Sequence, residues 1–340
     1  MPGHIAWTFC EPRGSLLLRM YSGENGTGVS MEREKIRFAS GGSECAAWHY
    51  AGTNGGCVVM TGGLAVTKEP GTDRFARRFH QAGFSVLAFD HRHLGESGGQ
   101  PRQVQRTGEQ LADWRAAIAR ARALPEVDQD RIAVWSFSAP GGQVFRVAAE
   151  DPGLAAAIAQ TPNVGGQAVT RNVARYQQPL ALARFAGRGI ADAFGALAGR
   201  PPRLVPLAGA PGTIALLTTP DAQDSTRALD PDGHYRGWRQ EIAARSALRF
   251  GFYRPGRYAA RVRCPLLVLV CDQDQSALAA PAVRAAGRIR RGELVQLPGG
   301  HYTPFLDGHE AAVAAELSFL RRHLLGQAQA DAATADLVRR

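Results

Sequence analysis

Short apolar segments alternate with helical patterns along most of this 340-residue chain, and this alternation constrains the fold more than any other feature. Segments such as Cys57–Thr61 and Pro265–Val270 are continuous apolar runs of strand length, which is typical of strands buried on both faces of a sheet. Strands that are separated by helices form βαβ units with parallel neighbours. The sequence therefore predicts an α/β fold with a mostly parallel, doubly wound sheet and helices on both faces.

The first strands of the chain follow a different pattern. Glu34–Phe38 alternates apolar and polar residues with period two, and Cys45–Tyr50 follows after a turn at Gly41-Gly42. Two such runs joined by a short glycine-rich turn are typical of a β-hairpin. We expect this hairpin to lie at one edge of the sheet.

The strand pattern also stops after Thr161-Pro162 and resumes near residue 256. Helical patterns at Ala181–Ala198 and Trp238–Leu248 indicate that the intervening segment is ordered and covers the edge of the sheet where α/β proteins bind ligands. We predict three parts: an α/β core of residues 1–162 and 256–325, an inserted cap of residues 163–255, and a flexible tail of residues 326–340.

Composition and charge narrow the class of protein. Hydrophobic residues make up 45% of the chain, which is enough for a large core. The five cysteines are scattered without metal-ligand spacing, which argues against a zinc site and favours a reducing compartment. The formal net charge is +10, but no nucleic-acid-binding motif accompanies it. Without a signal-peptide pattern or a membrane-length apolar run, we expect a cytoplasmic protein that binds neither nucleic acid nor membrane.

The segment Ser136–Gly142 carries the most specific chemical pattern. It follows the apolar run Ile132–Trp135 and precedes a helical pattern at Gln143–Ala149. A serine at a tight strand-to-helix turn projects its oxygen away from the backbone and towards the free N–H groups of the new helix. This geometry is a nucleophile elbow, and it makes Ser138 the candidate nucleophile.

A serine hydroxyl needs a base to take its proton, and the base needs a carboxylate to orient it. Asp272 and Asp274 come directly after the predicted strand 265–270, and His301 follows the predicted strand 293–297. The carboxyl ends of parallel strands meet at one edge of a sheet, so these residues are expected to converge on Ser138. We assign His301 as general base and Asp274 as the acid that orients it, with Asp272 as the alternative acid.

Acyl transfer also needs backbone N–H donors that hold the oxyanion. One expected donor is the N–H of Ala139, at the start of the helix after the serine. The loop after the first buried strand, Gly62-Gly63-Leu64, provides the second, because glycine lets the backbone approach closely and leaves the Leu64 N–H exposed.

Two further patterns bear on cofactors. His91 and His93 are spaced like metal ligands, but no third ligand lies near them in the sequence. The chain contains no P-loop and no G-x-G-x-x-G segment opening a helix. We therefore expect neither a metal nor another cofactor.

Together these segments resemble the α/β-hydrolase superfamily from about Glu34 to Leu325. The loop Phe89–Gly99 is similar to the D-x-R-x-x-G-x-S-x-G loop of that superfamily. Within it, the chain resembles cap-bearing bacterial serine hydrolases grouped with acetyl-xylan-esterase-like and X-Pro-dipeptidyl-peptidase-like sequences. Ser136 and Pro140 depart from the pattern, because glycine and a small residue usually occupy these positions around the nucleophile.

The resemblance and the candidate residues imply a serine hydrolase that cleaves an ester, thioester or lactone through an acyl-enzyme. Apolar side chains of the predicted cap favour a medium-sized hydrophobic acyl group: Phe185, Phe194, Phe250 and Tyr253. The expected partner is a small acyl substrate, free or bound to a carrier protein or coenzyme A, and a homodimer is left open. Two alternatives remain: a lyase, cyclase or acyltransferase of small-molecule biosynthesis, and a catalytically silent binding protein.

Overall fold

An eight-stranded sheet forms the centre of the computed structural model, which describes residues 33–326. All but β7 and β8 of the ten strands in this described range belong to the large sheet. The strands are β1 (Glu34–Ser40), β2 (Ser43–Tyr50), β3 (Cys57–Thr61), β4 (Ser85–Phe89), β5 (Ile132–Phe137), β6 (Ala156–Gln160), β7 (Leu204–Pro206), β8 (Glu241–Ala243), β9 (Leu266–Cys271) and β10 (Gly292–Leu297). Of the tail predicted for residues 326–340, Gly326 belongs to the described residues and residues 327–340 lie outside them.

The strand order of the large sheet is β1-β2-β4-β3-β5-β6-β9-β10. The pairs β1–β2 and β2–β4 are antiparallel, and the remaining pairs are parallel. This arrangement confirms the predicted edge hairpin and the predicted mostly parallel α/β sheet. The carboxyl ends of β3, β5, β9 and β10 share one edge.

Helices cover both faces of the sheet. The nine α-helices are α1 (Thr72–Gln81), α2 (Thr107–Arg122), α3 (Ser138–Glu150), α4 (Gly166–Arg175), α5 (Pro179–Leu197), α6 (Ser225–Leu229), α7 (Ala244–Ala247), α8 (Ala279–Ala286) and α9 (His309–Leu320), all within residues 33–326. Side chains of α2, α3 and α8 belong to the apolar core on one face, and those of α1 and α9 belong to the core on the other. Each central strand is therefore buried on both sides, as its continuous apolar sequence predicts.

Between β6 and β9 the chain leaves the large sheet, and residues 163–255, here called the cap segment, lie within this connection. The helix predicted for Trp238–Leu248 is wrong in its first half. Ile242 instead pairs with Val205 in the two-stranded β7–β8 sheet, and both side chains are fully buried. Cross-strand burial of this apolar pair outweighs the local helical periodicity.

The loop after β4 has a structural role. Asp90 accepts hydrogen bonds from the backbone N–H and the ammonium group of Lys68, at 2.7 and 3.0 Å, and both side chains are buried. The Ser97 hydroxyl donates to the Asp90 carbonyl at 2.7 Å and accepts from the Ala46 N–H. These bonds join the loop to β2 and to the loop after β3.

Across residues 33–326, no helix is both long and apolar enough to cross a lipid bilayer.

Candidate active site

Ser138 lies at a sharp turn between β5 and α3. Its φ angle is +60°, in the left-handed region that residues with a side chain rarely adopt. Such a conformation costs about 1–3 kcal/mol and persists where the surroundings enforce it. Packing enforces it here: the Ser138 carbonyl accepts a hydrogen bond from the Asn163 N–H at 2.9 Å, and a Cβ on Gly142 would lie 2.0 Å from the Asn163 carbonyl oxygen.

The structure brings Ser138, His301 and Asp274 together in one hydrogen-bonded chain. His301 Nε2 lies 3.0 Å from Ser138 Oγ, and its Nδ1 lies 2.7 Å from Asp274 Oδ2. The other carboxylate oxygen of Asp274 accepts the Ala277 N–H at 2.7 Å, which fixes the carboxylate in its turn. This arrangement has the connectivity of a nucleophile, a base and an orienting acid.

The alternative acid, Asp272, has a different position. Its Oδ1 accepts the backbone N–H of Gly299 at 2.8 Å, and its side chain is exposed. Asp272 thus supports the turn that precedes His301 and does not contact the imidazole. The geometry favours Asp274.

Charge around His301 favours the imidazolium. The ring is 1% exposed, and burial by itself lowers the pKa because water no longer solvates the charged form. The carboxylates of Asp274 and Asp221 act in the opposite direction and prevail, so the pKa of His301 lies above its ordinary value. A general base must be neutral to accept a proton, so activity that depends on this base rises as pH increases through that pKa.

Two residues that line the cavity at Ser138 are the expected oxyanion donors, Leu64 and Ala139. The N–H groups of Leu64 and Ala139 have no hydrogen-bond acceptor among residues 33–326, and both residues line the cavity at Ser138. Gly63 brings the Leu64 loop close to the elbow, since a Cβ there would lie 2.7 Å from the Phe137 ring. These are the two donors expected from the sequence, and they are free to bind an oxyanion.

Ser136, the departure from the usual glycine, bonds to this loop. It is fully buried, and its hydroxyl lies 3.0 Å from the Thr61 carbonyl oxygen and 3.2 Å from the Gly62 carbonyl oxygen. The additional side chain therefore holds the end of β3 and Gly62 against β5, two residues before Leu64. Sequence reasoning identified the anomaly at Ser136 but not this role, because the bond joins segments 75 positions apart.

Replacing Ser136 by alanine should therefore destabilise the fold and loosen the loop Gly62–Leu64, here called the oxyanion loop because it carries the Leu64 N–H. Loss of a buried neutral hydrogen bond costs about 1 kcal/mol of unfolding free energy. A loosened Leu64 donor should also lower kcat by about tenfold, with little change in KM. Urea unfolding and steady-state kinetics measure the two effects. Wild-type values of both would show that the Ser136 hydroxyl does not support the loop.

An apolar cavity of about 180 Å³ opens at Ser138. The cap segment provides most of its wall, including Val169, Val173, Leu182, Phe185, Leu216 and Phe250. Of the aromatic residues predicted to line it, Phe185 and Phe250 do so. Phe194 and Tyr253 do not line it; Phe194 lies on the outer face of α5 and is 69% exposed.

A smaller cavity of about 30 Å³ lies on another side of the same serine. Val66, Leu207, Trp238 and Tyr302 contribute to its wall, and it shares Leu64, Ser138, Leu216 and Leu217 with the larger cavity. The site can therefore accommodate groups on two sides of a carbonyl that is held at Ser138.

His91 and His93, considered above as metal ligands, contact different carboxylates. His91 Nδ1 lies 3.3 Å from Asp113, and His93 Nε2 lies 3.1 Å from Glu109. No cluster of three or more histidine, cysteine, aspartate or glutamate side chains suited to a metal ion occurs in the described part of the chain.

The mostly parallel sheet, with a serine elbow, an acid and a histidine after β5, β9 and β10, places the chain among the α/β hydrolases. A family model described as serine aminopeptidase, S33, matches residues 55–301, and the chain belongs to this family. The finer likeness to acetyl-xylan esterases and X-Pro dipeptidyl peptidases stays a prediction.

Proteins similar to this chain have several names. The chain is 35% identical over 291 residues to the quorum-quenching protein AidA of Acinetobacter baumannii, covering 84% of this chain and 94% of that one. It is 27% identical over 190 residues to the polyketide transferase grgF of a Penicillium species, covering 55% and 62%. The thiohydrolase aneE of Aspergillus aculeatus is 31% identical over 142 residues, covering 40% of this chain and 45% of aneE.

A solved structure has the same fold. The α/β hydrolase GrgF from a Penicillium species superposes with a TM-score of 0.73 and 21% identity, over 86% of this chain and 99% of that chain.

Proposed function

We propose that this protein is a serine hydrolase that cleaves an ester, thioester or lactone with a medium-sized hydrophobic acyl group, through an acyl-enzyme on Ser138. The observation that carries the proposal is the hydrogen-bonded chain from Ser138 through His301 to Asp274, which opens into an apolar cavity. A buried imidazole–carboxylate pair in contact with a strained serine is the arrangement that acyl transfer requires.

In the first half of the proposed reaction, Ser138 Oγ attacks the substrate carbonyl carbon while His301 Nε2 takes the hydroxyl proton. The carbonyl oxygen becomes an oxyanion that accepts hydrogen bonds from the N–H groups of Leu64 and Ala139. When the tetrahedral intermediate collapses, the bond from carbon to the leaving oxygen or sulfur breaks, and His301 gives its proton to that atom. Asp274 stabilises the imidazolium between these two transfers.

In the second half, water attacks the acyl-serine carbonyl while His301 again takes a proton. The same donors hold the second oxyanion. Its collapse returns the proton to Ser138 Oγ and releases the acyl group as a carboxylic acid, so the free enzyme is restored.

Two observations support the choice of substrate class. The cavity wall at Ser138 is mainly apolar, and it excludes water from an acyl chain more readily than it satisfies the hydroxyl groups of a sugar. Relatives named as a quorum-quenching protein and as a thiohydrolase support a lactone, ester or thioester substrate. The acyl group arrives in a small free ester or thioester, or bound to a carrier protein or coenzyme A. Comparing kcat/KM for matched N-acetylcysteamine and coenzyme A thioesters shows whether the larger leaving group is recognised.

A narrower cavity should shift the preference for acyl chain length. Val173 lines the cavity from α4, so Val173→Phe should lower kcat/KM for p-nitrophenyl octanoate by about tenfold and leave the acetate ester nearly unchanged. Ile190→Phe is the matched control, since Ile190 lies on α5 away from the cavity and is 50% exposed. An equal loss with both esters, or the same shift in the control, would place the acyl chain elsewhere.

A second candidate function is acyl transfer to an alcohol or amine other than water. The presence of a polyketide transferase among the relatives and the nearly complete burial of His301 favour it. Product analysis in the presence of a hydrophobic alcohol distinguishes the two: hydrolysis yields mainly acid, and transfer yields mainly the new ester. A folded protein that yields neither product is the catalytically silent binding protein.

A further inference from the structure

Asp221 belongs to the cap segment, yet it contacts both loops that carry the acid and the histidine. It lies on a short 3₁₀ helix, Pro220–Asp224. Its Oδ2 accepts the backbone N–H groups of Gln275 at 2.8 Å, Ser276 at 3.2 Å and His301 at 3.3 Å. Its Oδ1 accepts the Ser276 hydroxyl at 2.8 Å. One carboxylate thus holds both loops together.

The fit of Asp221 is close. A Cβ on Gly300 would lie 3.2 Å from the Asp221 Cβ, so the glycine directly before His301 leaves room for the aspartate. The Thr219 and Ser276 hydroxyls are 2.8 Å apart, which adds a second bond between the cap segment and the acid loop. No other acceptor for the N–H groups of Gln275 and Ser276 is found within residues 33–326.

On this basis, and given the proposed serine hydrolysis, we propose that Asp221 is a positioning residue through which the cap segment holds Asp274 and His301 in reacting geometry. The loop that carries Asp274 and the loop that carries His301 both donate backbone N–H groups to the Asp221 carboxylate, so removal of this carboxylate frees both loops at once. The His301 imidazole is then no longer held between Ser138 and Asp274. Because Asp221 does not reach the substrate carbonyl, its removal acts on the chemical step and not on binding.

Asp221 also acts through its charge. The groups around the His301 ring are the carboxylates of Asp274 and Asp221, the neutral Ser138 hydroxyl and the Tyr302 ring, whose centroid lies 4.9 Å from that of the imidazole. Burial raises the pKa of Tyr302 and keeps its hydroxyl neutral. Removing the Asp221 charge therefore leaves Asp274 as the one carboxylate that favours the imidazolium. The pKa of His301 falls, and the acidic limb of the rate profile moves to lower pH.

The test compares Asp221→Asn with Asp224→Asn on the full chain, with p-nitrophenyl butyrate as substrate. Asp224 is on the same 3₁₀ helix, its side chain is 47% exposed, and its partner is Arg227 at 3.0 Å. In Asp221→Asn we expect kcat to fall about tenfold at nearly constant KM, and the acidic limb of kcat/KM to move to lower pH. Asp224→Asn should retain the wild-type profile. If Asp221→Asn matches Asp224→Asn, or if its KM alone changes, the inference is wrong.

The variant Asn172→Ala tests the positioning of the loop that carries Asp274 without changing the charge near His301. The Asn172 side-chain N–H donates to the Gln275 carbonyl at 2.7 Å, so this cap residue holds the same loop without a charge. We expect its kcat to fall while the acidic limb stays at the wild-type pH. A limb that moves equally in Asn172→Ala and Asp221→Asn would contradict the electrostatic part of the inference.

If Asp221→Asn does not fold, Asp221→Glu carries the test. Glutamate keeps the charge, but its longer side chain does not fit against Gly300. We therefore expect kcat to fall, while the acidic limb of the kcat/KM profile stays near its wild-type pH. Unchanged kcat overturns the inference. Failure of the proposed function looks different: wild-type protein would not hydrolyse the ester, or Ser138→Ala would hydrolyse it equally well, and the inference would fail with it.

Discussion

Ser138→Ala is expected to lower kcat/KM for ester hydrolysis by about 10⁴-fold or more, because Ser138 carries the hydroxyl that lies within hydrogen-bond distance of His301 Nε2. The residual rate should come from the oxyanion donors and binding alone. Because alanine is also strained at a φ of +60°, the backbone conformation costs about the same in both proteins, and folding should be little affected. Initial rates with p-nitrophenyl butyrate, together with a thermal melt, measure both.

Ser136→Ala is the comparison variant, since Ser136 lies near the end of β5, two residues before Ser138, and its hydroxyl bonds to the Thr61 carbonyl. Its loss should be about tenfold, as argued for the oxyanion loop, and therefore far smaller. Activity that persists in Ser138→Ala would contradict the acyl-enzyme and favour a non-covalent reaction, such as a lyase or cyclase activity.

Asp274→Asn is expected to lower kcat by about 10⁴-fold while leaving the site geometry nearly intact. An asparagine amide that donates to His301 Nδ1 would place the imidazole proton on Nε2. His301 could then no longer accept the Ser138 proton, and the imidazolium would lose its carboxylate. Rates across pH 5–9 for the purified variant measure this loss, and circular dichroism checks the fold.

Asp272→Asn is the control for this second variant. Asp272 is two residues away and contacts the Gly299 N–H instead of the imidazole, so we expect less than about threefold loss of kcat. A large loss in Asp272→Asn together with a small loss in Asp274→Asn would reverse the assignment of the acid.

The sequence predicted the sheet and the edge at which the candidate residues meet, because both depend on simple periodicity. Apolar runs such as those of β3 and β9 identify buried parallel strands, and residues directly after such strands reach one edge of the sheet. The same reasoning preferred Asp274 as the acid but left Asp272 open as the alternative. Both follow β9, and the choice depends on how the turn directs each carboxylate, which periodicity does not encode.

Contacts between distant segments were not predictable. The bonds from Asp221 to Gln275 and His301 join positions 54 and 80 apart, and no local pattern around Asp221 indicates them. A carboxylate directly after a proline at a helix start is typical of the first helical turn, and here Asp221 instead accepts hydrogen bonds from the loops that carry Asp274 and His301. Strand β8 illustrates the same limit. Its sequence has helical periodicity, but the pairing of Ile242 with Val205 makes it a strand.

Labelling with a fluorophosphonate followed by peptide mass spectrometry tests whether His301 and Asp274 activate Ser138. If they do, we expect one adduct per folded chain, located on Ser138, with a labelling rate that rises with pH through the His301 pKa and falls sharply in Asp274→Asn. Folded protein that remains unlabelled, or an adduct on another residue while Ser138 stays unmodified, would contradict it.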